Sequence, residues 1–167
     1  MNNIKFYEVS ESYVDYLLPH APHLFHNKQK GQQNSRKYIG IILQINEMNY
    51  FAPLSSFKVK HYSMKESLDF IKVKNYAVIN LNSMFPVPQN CFTYVDISKE
   101  SNPKYKSLLL AEYRFIKSIQ EKIRKNSYIL YNLKTKGNIS ALTKRCNDFS
   151  LLEDLCRKYK NNTAAHL

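Results

Sequence analysis

Apolar positions along this chain come in short runs until about residue 100, and after it they follow a helical rhythm. IKFYEVS (4–10) is rich in strand formers. The following SESYVDYLLP offers Ser10 as a cap, Glu11 in the first turn and Pro19 as a stop, so a strand and then a short helix are expected. Residues 20–35 lack periodicity and read as a surface loop. In RKYIGIILQINEMNYFAPLSS two apolar runs flank a break, which predicts an antiparallel hairpin turning near Asn46 to Asn49. That pairing places Arg36, at the start of one strand, beside Ser55, Ser56 and Lys58 at the end of its partner. AVINLNSMFPVP (77–88) and CFTYVDIS (91–98) predict two more strands, in a mostly antiparallel sheet.

From Asn102 onward, Leu109, Tyr113, Ile116 and Ile123 keep helical spacing, which predicts a helix over 103–125 with Pro103 in its first turn. A second helix is expected over 127–136, ending at Gly137. Ser150 and Glu153 have capping-box spacing and open a last helix, beyond which residues 161–167 read as a frayed tail. The 167 residues, 44% of them hydrophobic, suffice for one core, so a single α+β domain spanning 1–167 is expected.

Charge adds a partner to this picture. The formal net charge is +12, and it is concentrated late: residues 101–167 hold 14 Lys and Arg against 5 Asp and Glu, residues 1–100 only 11 against 8. Such an excess points to a polyanion, most often nucleic acid, and the 13 Tyr and 9 Phe supply faces on which bases can stack. Three cysteines without a C-x-x-C pair support neither a disulfide framework nor a zinc knuckle. No segment approaches the ~18 apolar residues of a membrane span, so a soluble, cytoplasmic protein is expected, with no membrane partner.

The candidate chemistry lies in YFAPLSSFKVKH (50–61), where strand formers give way to two hydroxyls, two lysines and an imidazole. His20, His23 and His26 invite a metal site. Pro19 and Pro22 break any regular helix there and no nearby acid or cysteine completes a ligand set, so no metal is expected. Three glycines in all are too few for a phosphate loop or a nucleophile elbow, and the scattered early carboxylates do not suit a metal-dependent nuclease. RNA cleavage remains chemically open, because the 2′-hydroxyl is an internal nucleophile. Arg36 and Lys58 suit the phosphate, Ser55 and Ser56 can hold it, and His61 or a lysine can move protons. An ordinary solvated strand end explains the same residues.

Four stretches together resemble one family. KFYEVSESYVDYL, RKYIGIILQINEMNYFAPLSSFK with His61 following, INLNSMFPV (79–87) and NDFSLLED are similar, in that order, to the ToxN/AbiQ endoribonucleases of type III toxin–antitoxin systems. The resemblance implies a single compact α+β domain with a strongly twisted, mostly antiparallel sheet flanked by helices, similar to the MazF/Kid-like toxins. It implies an endoribonuclease without cofactor or metal, cutting adenine-rich single-stranded RNA to 2′,3′-cyclic phosphate and 5′-hydroxyl ends. Its partners would be cellular and phage RNA and an inhibitory antitoxin of RNA pseudoknot repeats, which the toxin processes and with which it closes into a cyclic assembly serving abortive phage defence. By the same resemblance Ser56, Lys58 and Arg36 are catalytic, and Tyr13, Ser55 and His61 line the site or bind RNA; Lys60, the second lysine of the 50–61 stretch, joins the RNA-binding candidates on its position alone. Some relatives carry a further tyrosine before the basic residue. Here that region reads GQQNSR, and Tyr38 or Phe25 is the candidate replacement. A non-catalytic basic RNA-binding module is the alternative.

Overall fold

The two-residue turn Asn46–Glu47 organises the hairpin. Both residues have positive φ (50° and 61°), as a type I′ turn requires, and they join β2 (Tyr38–Ile45) to β3 (Met48–Ser56). In this computed structural model, which describes residues 2–27 and 35–164, the pair sits mid-sheet. β1 (Lys5–Val9) flanks β2, and β7 (Phe92–Tyr94) flanks β1. On its other side β3 pairs first with β6 (Phe85–Pro86) through Tyr50 and Phe51, then with β5 (Ala77–Asn80) through Leu54–Ser56. β4 (Phe70–Val73) closes the edge. Every pairing is antiparallel.

The sheet is buried on both faces, which is why β2 and β3 are nearly continuous apolar runs rather than alternating ones. Tyr50 and Ala52 point into a core with Leu109, Ile116 and Ile123 of helices α2 (Pro103–Ser118) and α3 (Gln120–Thr135). Phe51, between them, points the other way. It joins Tyr13 and Leu17 of α1 (Glu11–Leu17) and Leu152 and Cys156 of α5 (Phe149–Ala164). Gly40 leaves room for the Phe51 ring, since any Cβ there would overlap it.

Several boundaries differ from the sequence pattern. The expected helix 103–125 breaks at Ile119 (φ −112°, ψ 12°), and the continuation merges with the expected second helix into α3. The run 77–88 is two strands separated by a helical turn at Leu81–Ser83. β4 and the short α4 (Ala141–Lys144), capped by Ser140, carry no clear periodic signal. The last helix is capped by Asp148, whose Oδ1 accepts from the Leu151 amide at 3.1 Å, and not by Ser150. Glu153 is buried instead, accepting from the phenols of Tyr50 and Tyr131, each at 2.8 Å. α5 continues to Ala164, further than the frayed tail expected from 161.

Candidate active site

β3 runs out of the sheet at Ser56, and that exit forms the site. The Leu54 amide still bonds the Lys37 carbonyl (3.0 Å), so the residues before β2 stay alongside the end of β3. Arg36 is thereby held against Ser55: Nη1 donates to Ser55 Oγ at 3.0 Å and to the Leu54 carbonyl at 3.3 Å. Its Nε donates to the His26 carbonyl (3.0 Å) and its guanidinium lies 4.8 Å from the Phe25 ring centre. The segment supplying Phe25 and His26 is fastened through Asn27. Its Nδ2 donates to the Val9 carbonyl (2.8 Å), its Oδ1 accepts from the Tyr38 phenol, and its carbonyl accepts from the Arg36 amide (2.8 Å). Burial pulls the Arg36 pKa below its usual value, partly opposed by Tyr38, yet an arginine remains cationic. Nη2 has no protein acceptor among the described residues.

Ser55 Oγ accepts twice, from Arg36 and from Asn80 Nδ2 at 3.3 Å, which leaves its own proton to be donated outward. Ser56 is exposed, and among the described residues neither its hydroxyl nor Lys58 Nζ has a protein partner. Arg36, Lys37, Ser55, Ser56 and Lys58 line one open cavity of about 320 Å³. α2 also lines it, through Tyr105, Leu108, Leu109 and Glu112, and the Tyr105 ring centre lies 5.9 Å from Lys37 Nζ. Phe25 lines it as well.

Lys58 is placed by His61. The Lys58 amide donates to His61 Nδ1 at 2.9 Å, and the His61 amide donates back to the Lys58 carbonyl at 2.8 Å. The ring packs between Phe57 and Phe70 and the residue is only 6% exposed. Burial lowers its pKa, and Lys60, Lys58 and Lys72 lower it further. A neutral ring accepting at Nδ1 carries its proton on Nε2.

Hydroxyls, cations and aromatic rings in one cavity are the groups that bind a phosphate and stack a base. The family profile described as toxin ToxN, type III toxin–antitoxin system, matches residues 5–157. The chain belongs to that family. The endoribonuclease ToxN of Pectobacterium atrosepticum is 33% identical over 93% of this chain and 94% of its own length. The endoribonuclease ToxN of Bacillus thuringiensis subsp. kurstaki is 31% identical over 98% and 88%. A solved structure, described as showing selective toxin inhibition by a non-coding RNA pseudoknot in type III toxin–antitoxin systems, superposes with a TM-score of 0.82 at 29% identity. That match covers 95% of this chain and 99% of the other.

The residues expected for a ToxN family site are not all brought together. Arg36, Ser55, Ser56 and Lys58 share the cavity. Tyr13 does not: it is 0% exposed, donates to the Pro86 carbonyl at 2.6 Å and packs against Phe85 and Tyr159, so it supports the far face of the sheet instead of walling the site. His61 supports the wall from behind, and Lys60 is exposed outside the cavity lining. Of the two candidate replacement rings, Phe25 reaches the cavity, whereas Tyr38 is buried with its hydroxyl on Asn27. Residues 28–34, which include most of the GQQNSR stretch, lie outside the described residues. Among the described residues no three His, Cys, Asp or Glu side chains converge as a metal ligand set.

Pattern reading missed Lys37, Tyr105 and Glu112. Glu112 leaves one trace in the sequence, as a carboxylate on the apolar stripe between Leu109 and Ile116. On the expected basic helix, Lys122 and Arg124 are paired with Glu66 (3.0 Å) and Glu121 (3.2 Å).

Proposed function

We propose that this chain is a metal-independent endoribonuclease toxin that cuts adenine-rich single-stranded RNA through the substrate's own 2′-hydroxyl. The products are a 2′,3′-cyclic phosphate and a 5′-hydroxyl. The observation that carries this reading is the common cavity of Arg36, Ser55, Ser56 and Lys58 in a member of the ToxN family. Arg36 presents Nη2 to a non-bridging phosphate oxygen while its other nitrogens hold it in place. The Ser56 hydroxyl and the outward proton of Ser55 donate to the same phosphate, where charge grows in the transition state. The Lys58 ammonium, aimed by the His61 clamp, neutralises that charge and protonates the departing 5′-oxygen. Phe25 and Tyr105 offer faces for the flanking bases.

An inhibitory pseudoknot RNA, processed by the toxin and closing with it into a cyclic assembly, fits the solved relative's description and the +12 charge. Release of the toxin from that RNA in the cytoplasm during phage infection is the setting in which the activity acts. The test is expression of Ser56→Ala and Lys58→Ala without the antitoxin. Each should abolish growth arrest and lower RNA cleavage by about 10²-fold or more while melting like the parent. Undiminished cleavage by both folded variants would leave only an RNA-binding module.

A further inference from the structure

Among the described residues Glu112 is the only carboxylate lining the cavity, which it shares with the hydroxyls of Ser55 and Ser56 and with the cations Arg36, Lys37 and Lys58. It is 4% exposed, yet among the described residues it makes no ion pair and no hydrogen bond. A buried carboxylate of purely structural use is ordinarily paired, as Asp69 is by Arg145 (2.6 and 2.8 Å) and Glu153 by two phenols. Glu112 is held by its helix, between the core residues Leu109 and Ile116, and lines the cavity.

We infer that Glu112 is the general base that takes the proton from the attacking 2′-hydroxyl. The inference rests on the transesterification reading above. As the 2′-oxygen bonds to phosphorus, its proton passes to the Glu112 carboxylate. As the bond from phosphorus to the 5′-oxygen breaks, Lys58 supplies a proton to the leaving oxygen, and solvent then resets both groups. His61 is disqualified because its Nδ1 is occupied by the Lys58 amide and its ring is packed between two phenylalanines.

The environment suits that task. Burial pushes the Glu112 carboxyl up to about 7, where it is half ionised at neutral pH and an efficient acceptor. The charged groups that line the cavity with it are Arg36, Lys37 and Lys58, and Tyr105 lies two turns earlier on α2. From the elements packed on α2 come Lys72 of β4, and Asp96 and Lys99 beside the turn Ile97–Lys99. None of these lies within bonding distance of the carboxylate. Lys37 is held by Glu8 at 2.7 Å, and Asp96 by Ser98.

The experiment is single-turnover cleavage across pH by the full chain and by Glu112→Gln and Glu112→Asp, with the thermal melt of each recorded. In the parent, log rate should rise with unit slope to a plateau near pH 7. Glu112→Gln should lose about 10²–10³-fold at the plateau and lose the rising limb, whereas Glu112→Asp keeps the limb at an intermediate rate. A substrate with sulfur in place of the 5′-bridging oxygen needs no proton on its leaving group, so the Gln defect should persist on it. Rescue by sulfur would make Glu112 the acid and overturn the inference. So would a parent-like profile from Glu112→Gln, or a flat one from Glu112→Asp. If RNA lacking the 2′-hydroxyl at the scissile nucleotide is cut as fast as all-ribose RNA, the transesterification reading falls and the inference with it. If that RNA resists and Glu112→Gln is unimpaired, only the inference falls.

Discussion

At Ser55 one oxygen takes two donors, and this fixes what the residue does. It orients Arg36 and frees its own proton, so Ser55→Ala should loosen the guanidinium as well as remove a donor. The expected result is about a 10-fold to 100-fold loss in single-turnover rate, larger than the loss in RNA affinity, since Arg36 remains cationic. His61 acts one step further back. His61→Ala should slow cleavage roughly 10-fold by releasing Lys58, with the rising limb of the pH–rate profile left in place. Disappearance of that limb in His61→Ala would transfer the proton-moving role from Glu112 to His61. Tyr13 and Lys60 stand apart, because similarity of motif carried the first to the site and nearness in sequence the second, and packing carried neither.

The hairpin β2–β3 was legible in the sequence because its evidence is local: two apolar runs, a turn of Asn46 and Glu47, and a register that carries Arg36 to Ser55. Helix α2 was legible as a helix, but its role was not. Whether Glu112 meets solvent, core or cavity depends on the strand end lying some fifty residues earlier, and no spacing along α2 records that. The break at Ile119 was hidden for a related reason, because apolar spacing continues through it while the chain turns to keep Ile116 and Ile123 in the same core. Glu153 kept its capping-box spacing but accepts from Tyr50 and Tyr131, so the hydrogen bonds that bury it were tertiary. Glu153→Ala strands two buried phenols and should cost roughly 3 kcal/mol in urea unfolding. Gly40→Ala drives a methyl into the Phe51 ring and should cost about 2 kcal/mol, against near neutrality for an exposed strand position.

For the whole molecule, two groups tilt stability with pH in opposite directions. Glu112 titrates near 7 when folded and near 4.5 when unfolded, so its contribution is full below 4.5 and is lost as pH rises through 7, by up to about 3 kcal/mol. His61 has a lowered folded pKa, so its contribution is full above 6.5 and is lost as pH falls through that lowered value. Urea unfolding of Glu112→Gln should therefore match the parent near pH 4 and exceed it at pH 8. The +12 charge sets a second global property: if about six phosphates are contacted, RNA affinity should drop roughly 300-fold between 50 and 200 mM salt. The central claim is that this cavity cuts RNA without a metal through the 2′-hydroxyl. Mass spectrometry of the cleavage ends, from purified protein and adenine-rich RNA in EDTA, tests it most directly. The expected ends are 2′,3′-cyclic phosphate and 5′-hydroxyl, absent with Ser56→Ala and Lys58→Ala. Ends bearing 3′-hydroxyl and 5′-phosphate, or cleavage that returns only with a divalent ion, would contradict it.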